Sequence, residues 1–228
     1  MRDDLTIIYY SANRIGEDFA DAVRMCLVRT AGMPIPSLIS VTHKPIEFGE
    51  NIVVDFPICI WSIYKQVLIG AEAADTEFVA CAEDDTLYPP HHFEYRPSAN
   101  AFAYTEDRWW LELYGKDWRY RTRRRVVMST CIAPRQLLIE TLRARFEKYP
   151  KPFPNKKDYV GWGEPGRVEH WLGLPEVQME LYKNEIPVIS VNHKLSIGNI
   201  KRASDTDETA ETLPYWGSAE DLAIKLCL

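Results

Sequence analysis

The chain has 228 residues, 46% hydrophobic and 26% charged, enough to bury the core of one large α/β domain or two small ones. Its net charge of -6 argues against a general nucleic-acid coat protein. No apolar run is long enough to span a bilayer, and the five scattered cysteines form no disulfide or zinc framework, so we expect a cytoplasmic protein.

The first 85 residues alternate between strand and helix patterns. Unbroken β-branched, aromatic and other apolar residues predict buried strands at 5–10, 38–41 and 78–82. Apolar residues at helical spacing predict helices at 16–29 and 59–74. This order is typical of a parallel sheet covered by helices, so the sequence predicts an α/β fold with a central, mainly parallel sheet.

The second half of the chain has a different pattern. Short apolar runs at 101–104, 109–113 and 126–132 predict strands, some of them antiparallel, and a helix is expected from Pro134 to Phe146. The remaining predicted elements are a loop at 148–157, a helix at 175–182, a strand at 187–191 and a short helix at 218–227.

Three consecutive carboxylates, Glu83–Asp85, directly follow the predicted strand 78–82. Acids in this place are expected where the carboxyl end of a parallel strand opens into a ligand crevice. Carboxylate oxygens suit a divalent cation, and a cation there can hold a phosphate. The triplet therefore indicates a metal-dependent site for a nucleoside diphosphate, with a solvated acidic turn as the alternative. His91 and His92, beyond a Pro-Pro turn, are less favoured as ligands.

The motifs, taken in order, resemble the nucleotide-sugar glycosyltransferases of the GT-A fold, especially the family 2 type. AEDDTLYPPHHF (82–93) is similar to their "DxD" region, and LTIIYYSANR (5–14) is similar to their first strand and uridine-side loop. VISVNHKLSIGN (188–199) is similar to a late strand that delivers a metal-binding histidine. The resemblance runs from about residue 5 to residue 199, and its specificity comes from the order of the motifs.

This resemblance implies one GT-A (Rossmann-like) domain with a smaller antiparallel, acceptor-side part. Its nucleotide-sugar half would be 1–93, its acceptor-side half 94–200 and its tail 201–228. The implied cofactor is Mn²⁺ or Mg²⁺, and one imidazole ligand favours manganese.

The resemblance also assigns roles to individual residues. Asp85 and His193 would hold the cation, with Glu83 and Asp84 near the ribose or behind the metal ligands. Glu83 stands where the family pattern has aspartate, so the choice of carboxylate for the metal stays open. The remaining nucleotide contacts would come from Ser11, Asn13, Arg14, Thr42, Lys65 and Gln66; the arginine, lysine and glutamine are alternatively surface residues.

The segment VGWGEPG (160–166) is similar to the tryptophan-glycine-acid loop of galactosyltransferases with this fold. An inverting transfer needs a general base to take the proton of the acceptor hydroxyl. We expect Glu164 to be this base, with Glu169 in reserve; the alternative is that Glu164 only caps a turn. Trp162 is expected to form a wall of the site, and Trp110 is expected in the core.

The run RYRTRRR (119–125) carries five arginines in seven residues. It could grip a phosphate backbone, and the acceptor would then be a hydroxymethylated base in DNA, as in some related viral enzymes. The alternative is a strand whose arginines alternate into solvent and pair with the acids of the chain.

The expected function is metal-dependent transfer of a sugar from a nucleoside-diphosphate sugar, most simply a UDP-sugar, to a hydroxyl of a glycan or of modified DNA, with inversion. A nucleotidyltransferase is a second candidate, although its usual glycine-rich loop after the first strand is replaced here by Ser-Ala-Asn-Arg. A non-catalytic module of the same fold, binding sugar or nucleic acid, is a third.

Overall fold

The computed structural model describes residues 4–32, 37–151, 162–193, 195 and 207–228. Parts of the predicted loop 148–157, of VGWGEPG and of VISVNHKLSIGN lie outside these residues. The helices are α1 (Glu17–Ala31), α2 (Ile60–Ala73), α3 (Arg135–Lys148), α4 (Glu169–Leu172) and α5 (Ala219–Lys225). The strands are β1 (Leu5–Ser11), β2 (Ser37–Thr42), β3 (Glu50–Val53), β4 (Phe78–Glu83), β5 (Thr86–Leu87), β6 (Ala101–Tyr104), β7 (Arg108–Tyr114), β8 (Asp117–Thr122), β9 (Ile132–Pro134), β10 (Gln178–Leu181), β11 (Val188–Val191), β12 (Thr209–Ala210), β13 (Thr212–Leu213) and β14 (Gly217–Ser218).

The main sheet has the strand order β10-β6-β9-β4-β1-β2-β3, and β4, β1, β2 and β3 run parallel. β9 is antiparallel to both of its neighbours. Strand β1 is buried on both faces: Ile8 and Tyr10 pack into one apolar cluster, and Ile7 and Tyr9 pack into another. The predicted α/β fold with a central, mainly parallel sheet is confirmed.

Helices cover both faces of the main sheet. α2 and α3 pack on one face, and α1 packs on the other. A Cβ at Gly70 of α2 would lie 2.5 Å from Cγ2 of Ile8, so only glycine allows this close approach of α2 to β1. In the described part of the chain, no helix is both long and apolar enough to cross a membrane.

A second sheet has the order β12-β8-β7-β11-β5 and is mostly antiparallel. β7 and β8 form a hairpin, and β11 pairs in parallel with β7. Phe19 and Val23 of α1, Leu222 of α5 and Ile189 of β11 share one apolar cluster, which joins this sheet to the rest of the domain. The smaller antiparallel part predicted for the second half is present.

The predicted helix at 175–182 is wrong, because residues 178–181 form β10, paired in parallel with β6. Val177, Met179 and Leu181 alternate with polar residues, a spacing that suits an edge strand. The predicted strand 126–132 is also wrong over most of its length. Residues Met128–Thr130 form a 3₁₀ turn, and the strand begins only afterwards, as β9 at Ile132–Pro134.

His92 is 1% exposed, and its ring nitrogens face the hydroxyl of Tyr182 and the amide of Asn184. Burial lowers the pKa of His92 to about 3. An unfolded histidine takes up its proton near a pKa of about 6.5, so the unfolded state binds more protons between these two values. Stability should therefore fall as the pH decreases through this window, by about 1 kcal/mol per pH unit from His92.

Replacing His92 with glutamine should flatten this pH dependence of the free energy of unfolding, measured by urea titration between about pH 6 and pH 4. The matched control is His91→Gln, since His91 is an exposed neighbour paired with Glu94. Equal slopes in the His92 variant and the unmodified protein would show that the buried ring is not the source.

Candidate active site

The strand order of the main sheet reverses at β1: β2 lies on one side of it and β4 on the other. Ligands of open α/β sheets bind outside the carboxyl ends of the strands at such a point. Ser11 ends β1 and Glu83 ends β4. The hydroxyl of Ser11 donates a hydrogen bond to Asp84, which ties the two strand ends together. The topology therefore places the acid triplet in the expected ligand crevice.

The acid triplet concentrates negative charge in partly buried surroundings. Burial, with the neighbouring charges of Asp85 and Asp84, raises the pKa of Glu83 well above its usual range. Burial and the charge of Asp85 raise the pKa of Asp84 to about 7, against the opposing hydrogen bond from Ser11. Such a cluster is costly unless positive charge lies nearby, so its chemistry suits a cation.

His193 is brought to Asp85 by the end of β11. The amide of Val191 donates to the carbonyl oxygen of Asp85 at 2.8 Å, which holds β11 against the acid loop. Two residues later, Nε2 of His193 lies 3.3 Å from Oδ2 of Asp85. Two adjacent ligands of a cation with bonds of about 2.1 Å lie about 3 Å apart, so this pair has a suitable separation.

The contact between His193 and Asp85 also restricts how these two side chains could bind a metal. The amide of Leu195 donates to Nδ1 of His193 at 3.2 Å, which leaves the proton on Nε2, facing Asp85. Coordination through Nε2 would require the other tautomer. Among the described residues, no group of three or more His, Cys, Asp or Glu could hold a metal. A cation at Asp85 and His193 would thus keep positions for phosphate and water, as Mg²⁺ does.

Two cavities meet at the acid triplet, and Tyr10, Ile63, Glu83 and Asp85 line both. The first cavity, of about 50 Å³, is narrow and reaches the end of β1; its polar lining includes Ser11, Arg14, Gln66, Asp84 and His193. The second cavity, of about 260 Å³, extends towards the second sheet; its polar and aromatic lining includes Arg108, Trp110, Arg123, Arg125 and Glu164.

Of the six predicted nucleotide contacts outside the acid triplet, Ser11, Arg14 and Gln66 line the first cavity. Gln66 is buried, and its Nε2 donates to the carbonyl oxygens of Ser11 at 2.9 Å and of Val41 at 2.7 Å. It thereby holds the ends of β1 and β2 together rather than lying on the surface of α2.

The other three residues lie outside the lining of both cavities. Oδ1 of Asn13 accepts hydrogen bonds from the amides of residues 43 and 44, at 2.8 and 2.9 Å, and so braces the loop after β2. Thr42 is fully buried and donates to the carbonyl oxygen of Lys44 at 2.7 Å. Nζ of Lys65 lies 4.9 Å from the ring centre of Phe146.

The loop that carries Glu164 is fixed by a buried ion pair. Arg145 of α3 is 0% exposed; its Nε donates to Glu169 at 2.8 Å and its Nη1 donates to the carbonyl oxygen of Gly163 at 2.7 Å. The hydroxyl of Tyr104 donates to the carbonyl oxygen of Pro165 at 2.8 Å. These bonds fix the backbone on either side of Glu164. Its half-buried side chain lines the second cavity, and the guanidinium of Arg167 lies 3.5 Å from its carboxylate.

Both carboxylate oxygens of Glu169 have partners: Oε1 accepts from Arg145, and Oε2 accepts from the amide of Gly166 at 2.7 Å. Glu169 is 2% exposed and lines neither cavity. The residue expected as the reserve base therefore lies in the ion pair that positions the loop.

Replacing Glu169 with glutamine should lower the free energy of unfolding by about 3 to 5 kcal/mol, because it leaves the buried charge of Arg145 without its partner. Urea titration measures the loss. The control, Glu176→Gln, makes the same substitution at an exposed carboxylate paired with His170 and should change stability by less than about 0.5 kcal/mol. A similar, small effect of both replacements would contradict the structural role of Glu169.

The expectations for the two tryptophans are reversed. Trp162 packs against Tyr64 and Phe146 in the core, with ring centres 5.5 and 5.2 Å away. Trp110 lines the second cavity, with the guanidinium of Arg123 at 4.6 Å from its ring centre. Arg108, which the sequence reasoning missed, lies on the same face of β7. The signal for it was the two-residue alternation of Arg108, Trp110 and Glu112.

The basic run 119–125 divides into two groups. Three of its arginines face acids: Arg119 lies 3.9 Å from Asp117, Arg121 2.7 Å from Glu112 and Arg124 3.0 Å from Glu208. The alternative anticipated this pairing with acids, but it expected solvent-exposed arginines, whereas Arg121 and Glu112 are largely buried. The other two, Arg123 and Arg125, line the second cavity.

No protein-family model and no curated protein matches the sequence. Among solved structures, the chain is similar to TarS 1-349 from S. aureus in complex with UDP-GlcNAc, with 10% identity and a TM-score of 0.45 over 84% of this chain and 59% of that one. It is similar to a glycosyltransferase involved in glycosylation of the major capsid of PBCV-1, with 10% identity and a TM-score of 0.46 over 82% and 92%. It is also similar to a nucleotidyl transferase from Methanothermobacter, with 14% identity and a TM-score of 0.43 over 78% of this chain and 88% of that one. All three TM-scores are below 0.5, so the functional proposal rests on the geometry of the cleft.

Proposed function

We propose that the protein is a metal-dependent glycosyltransferase of the GT-A type, which moves a sugar from a nucleoside-diphosphate sugar to an acceptor hydroxyl. The observation that carries the proposal is the acid triplet at the junction of two cavities. Glu83 and Asp85 line both cavities, so two substrates bound there would meet at the acids. The expected donor is a UDP-sugar.

On the donor side, the nucleotide would lie along the opening of the first cavity, which at about 50 Å³ would enclose only a small part of it. Ser11, Arg14 and Gln66 would surround its base and ribose, with Asp84 on the ribose side. Asp85 and His193 would hold Mn²⁺ or Mg²⁺. When bound, this cation would neutralise the charge of the diphosphate leaving group.

On the acceptor side, Glu164 would accept the proton of the attacking hydroxyl. Its side chain lies in the wall of the second cavity, in a loop held by Arg145 and Tyr104. A base on a loop whose backbone is fixed in this way is already placed beside the acceptor, and direct attack from this side would invert the sugar. The acceptor hydroxyl belongs to a glycan or to a hydroxymethylated base in DNA.

The nucleotidyltransferase reading is weaker because the start of α1 disfavours a phosphate. The loop after β1 is not glycine-rich, and the first turn of α1 carries Glu17 and Asp18. A non-catalytic module would explain the cavities but would not need an acid fixed beside the acceptor space.

The experiment is a screen of nucleotide-sugars for release of free nucleotide, with Mn²⁺, with Mg²⁺ and with chelator, each with and without hydroxymethylated DNA. We expect release from one donor class, only with a divalent cation, increasing when an acceptor is supplied. Stabilisation of the protein by nucleic acid alone, without turnover of any donor, would support a binding module instead. Formation of pyrophosphate from a nucleoside triphosphate and a sugar phosphate would support the nucleotidyltransferase.

A further inference from the structure

Three arginines converge on the second cavity: Arg108 from β7, and Arg123 and Arg125 from the segment after β8. The amide of Arg123 donates to the carbonyl oxygen of Arg108 at 2.8 Å, so the backbone itself brings the two positions together. Both side chains lie against the ring of Trp110, with guanidinium carbons 6.0 Å (Arg108) and 4.6 Å (Arg123) from the ring centre.

The three arginines lie close together on one part of a cavity wall that Glu83, Asp85 and Glu164 also line. Arg108 is 6% exposed; its Nη1 donates to Ser190 at 3.1 Å, and its Nε has no acceptor among the described residues. Burial, opposed by the charges of Asp85 and Glu83 and assisted by those of Arg123 and Arg125, lowers the pKa of Arg108 to about 10. Burial and the charge of Arg125 likewise lower the pKa of Arg123. Like charges gathered at a cavity wall are stabilised when an anion binds between them.

We propose that the second cavity contains an anion subsite, in which Arg108, Arg123 and Arg125 bind a phosphate or carboxylate group carried by a sugar acceptor. This inference rests on the proposed function, since it makes the second cavity the acceptor side. Arginine forks match the geometry of both anions. The anion would orient the acceptor so that its hydroxyl faces Glu164 in the same cavity wall.

A DNA acceptor fits this arrangement less well. A duplex backbone needs basic side chains spread over an exposed face. Here Arg119, Arg121 and Arg124 face acids of the chain, while the arginines in the cavity surround a space that suits one compact anion.

The donor diphosphate is also a poorer occupant. It belongs beside Asp85 and His193 in the proposed function, whereas Arg123 and Arg125 line only the second cavity. The occupant of this subsite is therefore expected to bind without the donor and without a divalent cation.

The test is calorimetric titration of the donor-free protein, in chelator, with glucose 6-phosphate, glucuronate and glucose as probes. The variants are Arg125→Gln, at an exposed position that tolerates the change, and Arg123→Gln, each checked for an unchanged melting temperature. Arg124→Gln is the matched control, because it removes the same charge from the adjacent position, which is paired with Glu208 and lines neither cavity.

We expect glucose 6-phosphate, glucuronate or both to bind at least about tenfold more tightly than glucose. Arg125→Gln and Arg123→Gln should each weaken this binding by about tenfold or more, and Arg124→Gln should leave it unchanged. Comparing the phosphate with the carboxylate probe identifies which anion the acceptor carries.

Equal binding of all three probes, or equal weakening by the Arg124 and Arg125 variants, would overturn the proposal. Two further titrations cover the other occupants. Weaker UDP binding in Arg125→Gln would assign the arginines to the donor, and a duplex DNA affinity that falls equally in the Arg124 and Arg125 variants would assign them to nucleic acid. The probes need no donor, so these titrations test the anion subsite even if the screen finds no sugar transfer. Anion binding that Arg125→Gln weakens, without turnover of any donor, would overturn the proposed function and leave the anion subsite in place.

Discussion

Replacing Asp85 with asparagine should reduce metal-dependent release of nucleotide from the donor by about 1,000-fold. The change keeps the size of the side chain but removes the carboxylate that lies 3.3 Å from His193. If this carboxylate helps to hold the cation, its loss removes about 4 kcal/mol of stabilisation from the departing diphosphate. Initial rates of nucleotide release at saturating Mn²⁺ measure the effect.

The matched control for this variant is Asp75→Asn. Asp75 is exposed and precedes β4, at the opposite end of the strand from the acid triplet. It should keep the full rate, and both variants should keep the melting temperature of the unmodified protein without metal. A rate for the Asp85 variant within about threefold of the control would contradict the assignment of Asp85.

Replacing Glu164 with glutamine should lower the rate of sugar transfer by about 100- to 10,000-fold, the usual contribution of a general base. Glutamine has the same shape, so the loop held by Arg145 and Tyr104 should keep its position. Affinity for UDP should stay within about twofold, because the residue lines only the second cavity. Steady-state kinetics with saturating donor, and a pH profile of kcat/KM, measure the change.

The pH profile separates a base from a residue that only shapes the wall. Protonation of Asp84, with its pKa of about 7, gives both enzymes an acidic limb, so the comparison is between the shapes of the two limbs, which should differ if Glu164 is the base. Glu147→Gln, an exposed change on α3, serves as the control. If the Glu164 variant is slow but its acidic limb is identical to that of the unmodified enzyme, the base is another group.

The first half of the fold follows directly from local patterns. β1 and β4 are continuous apolar runs because both of their faces are buried, and α1 and α2 have apolar residues at helical spacing. The acid triplet could be placed at the ligand crevice because it directly follows β4. β10 could not be recognised, since its short alternation at an edge gives a weak signal and its partner β6 is remote in sequence.

The site is only partly predictable for a related reason. The approach of His193 to Asp85 agrees with the family-like order of motifs, although the metal itself stays a prediction. The role of Glu169 depends on Arg145, and the core position of Trp162 depends on Tyr64 and Phe146. These partners are distant in sequence and gave no local signal. The chain after β8 comes back to the start of β7, where the amide of Arg123 bonds to the carbonyl oxygen of Arg108. This contact brings the arginines together in the cavity, and composition cannot reveal it.

We expect the first cavity to bind a nucleoside diphosphate through a cation held by Asp85 and His193. Calorimetric titration of the protein with UDP, in Mn²⁺ and in chelator, tests it most directly because it needs neither the sugar nor the acceptor. We predict one UDP per chain in Mn²⁺, and binding weakened at least about tenfold both by chelator and by Asp85→Asn. Equal UDP affinity in Mn²⁺ and in chelator, or no UDP binding in either, would contradict the account.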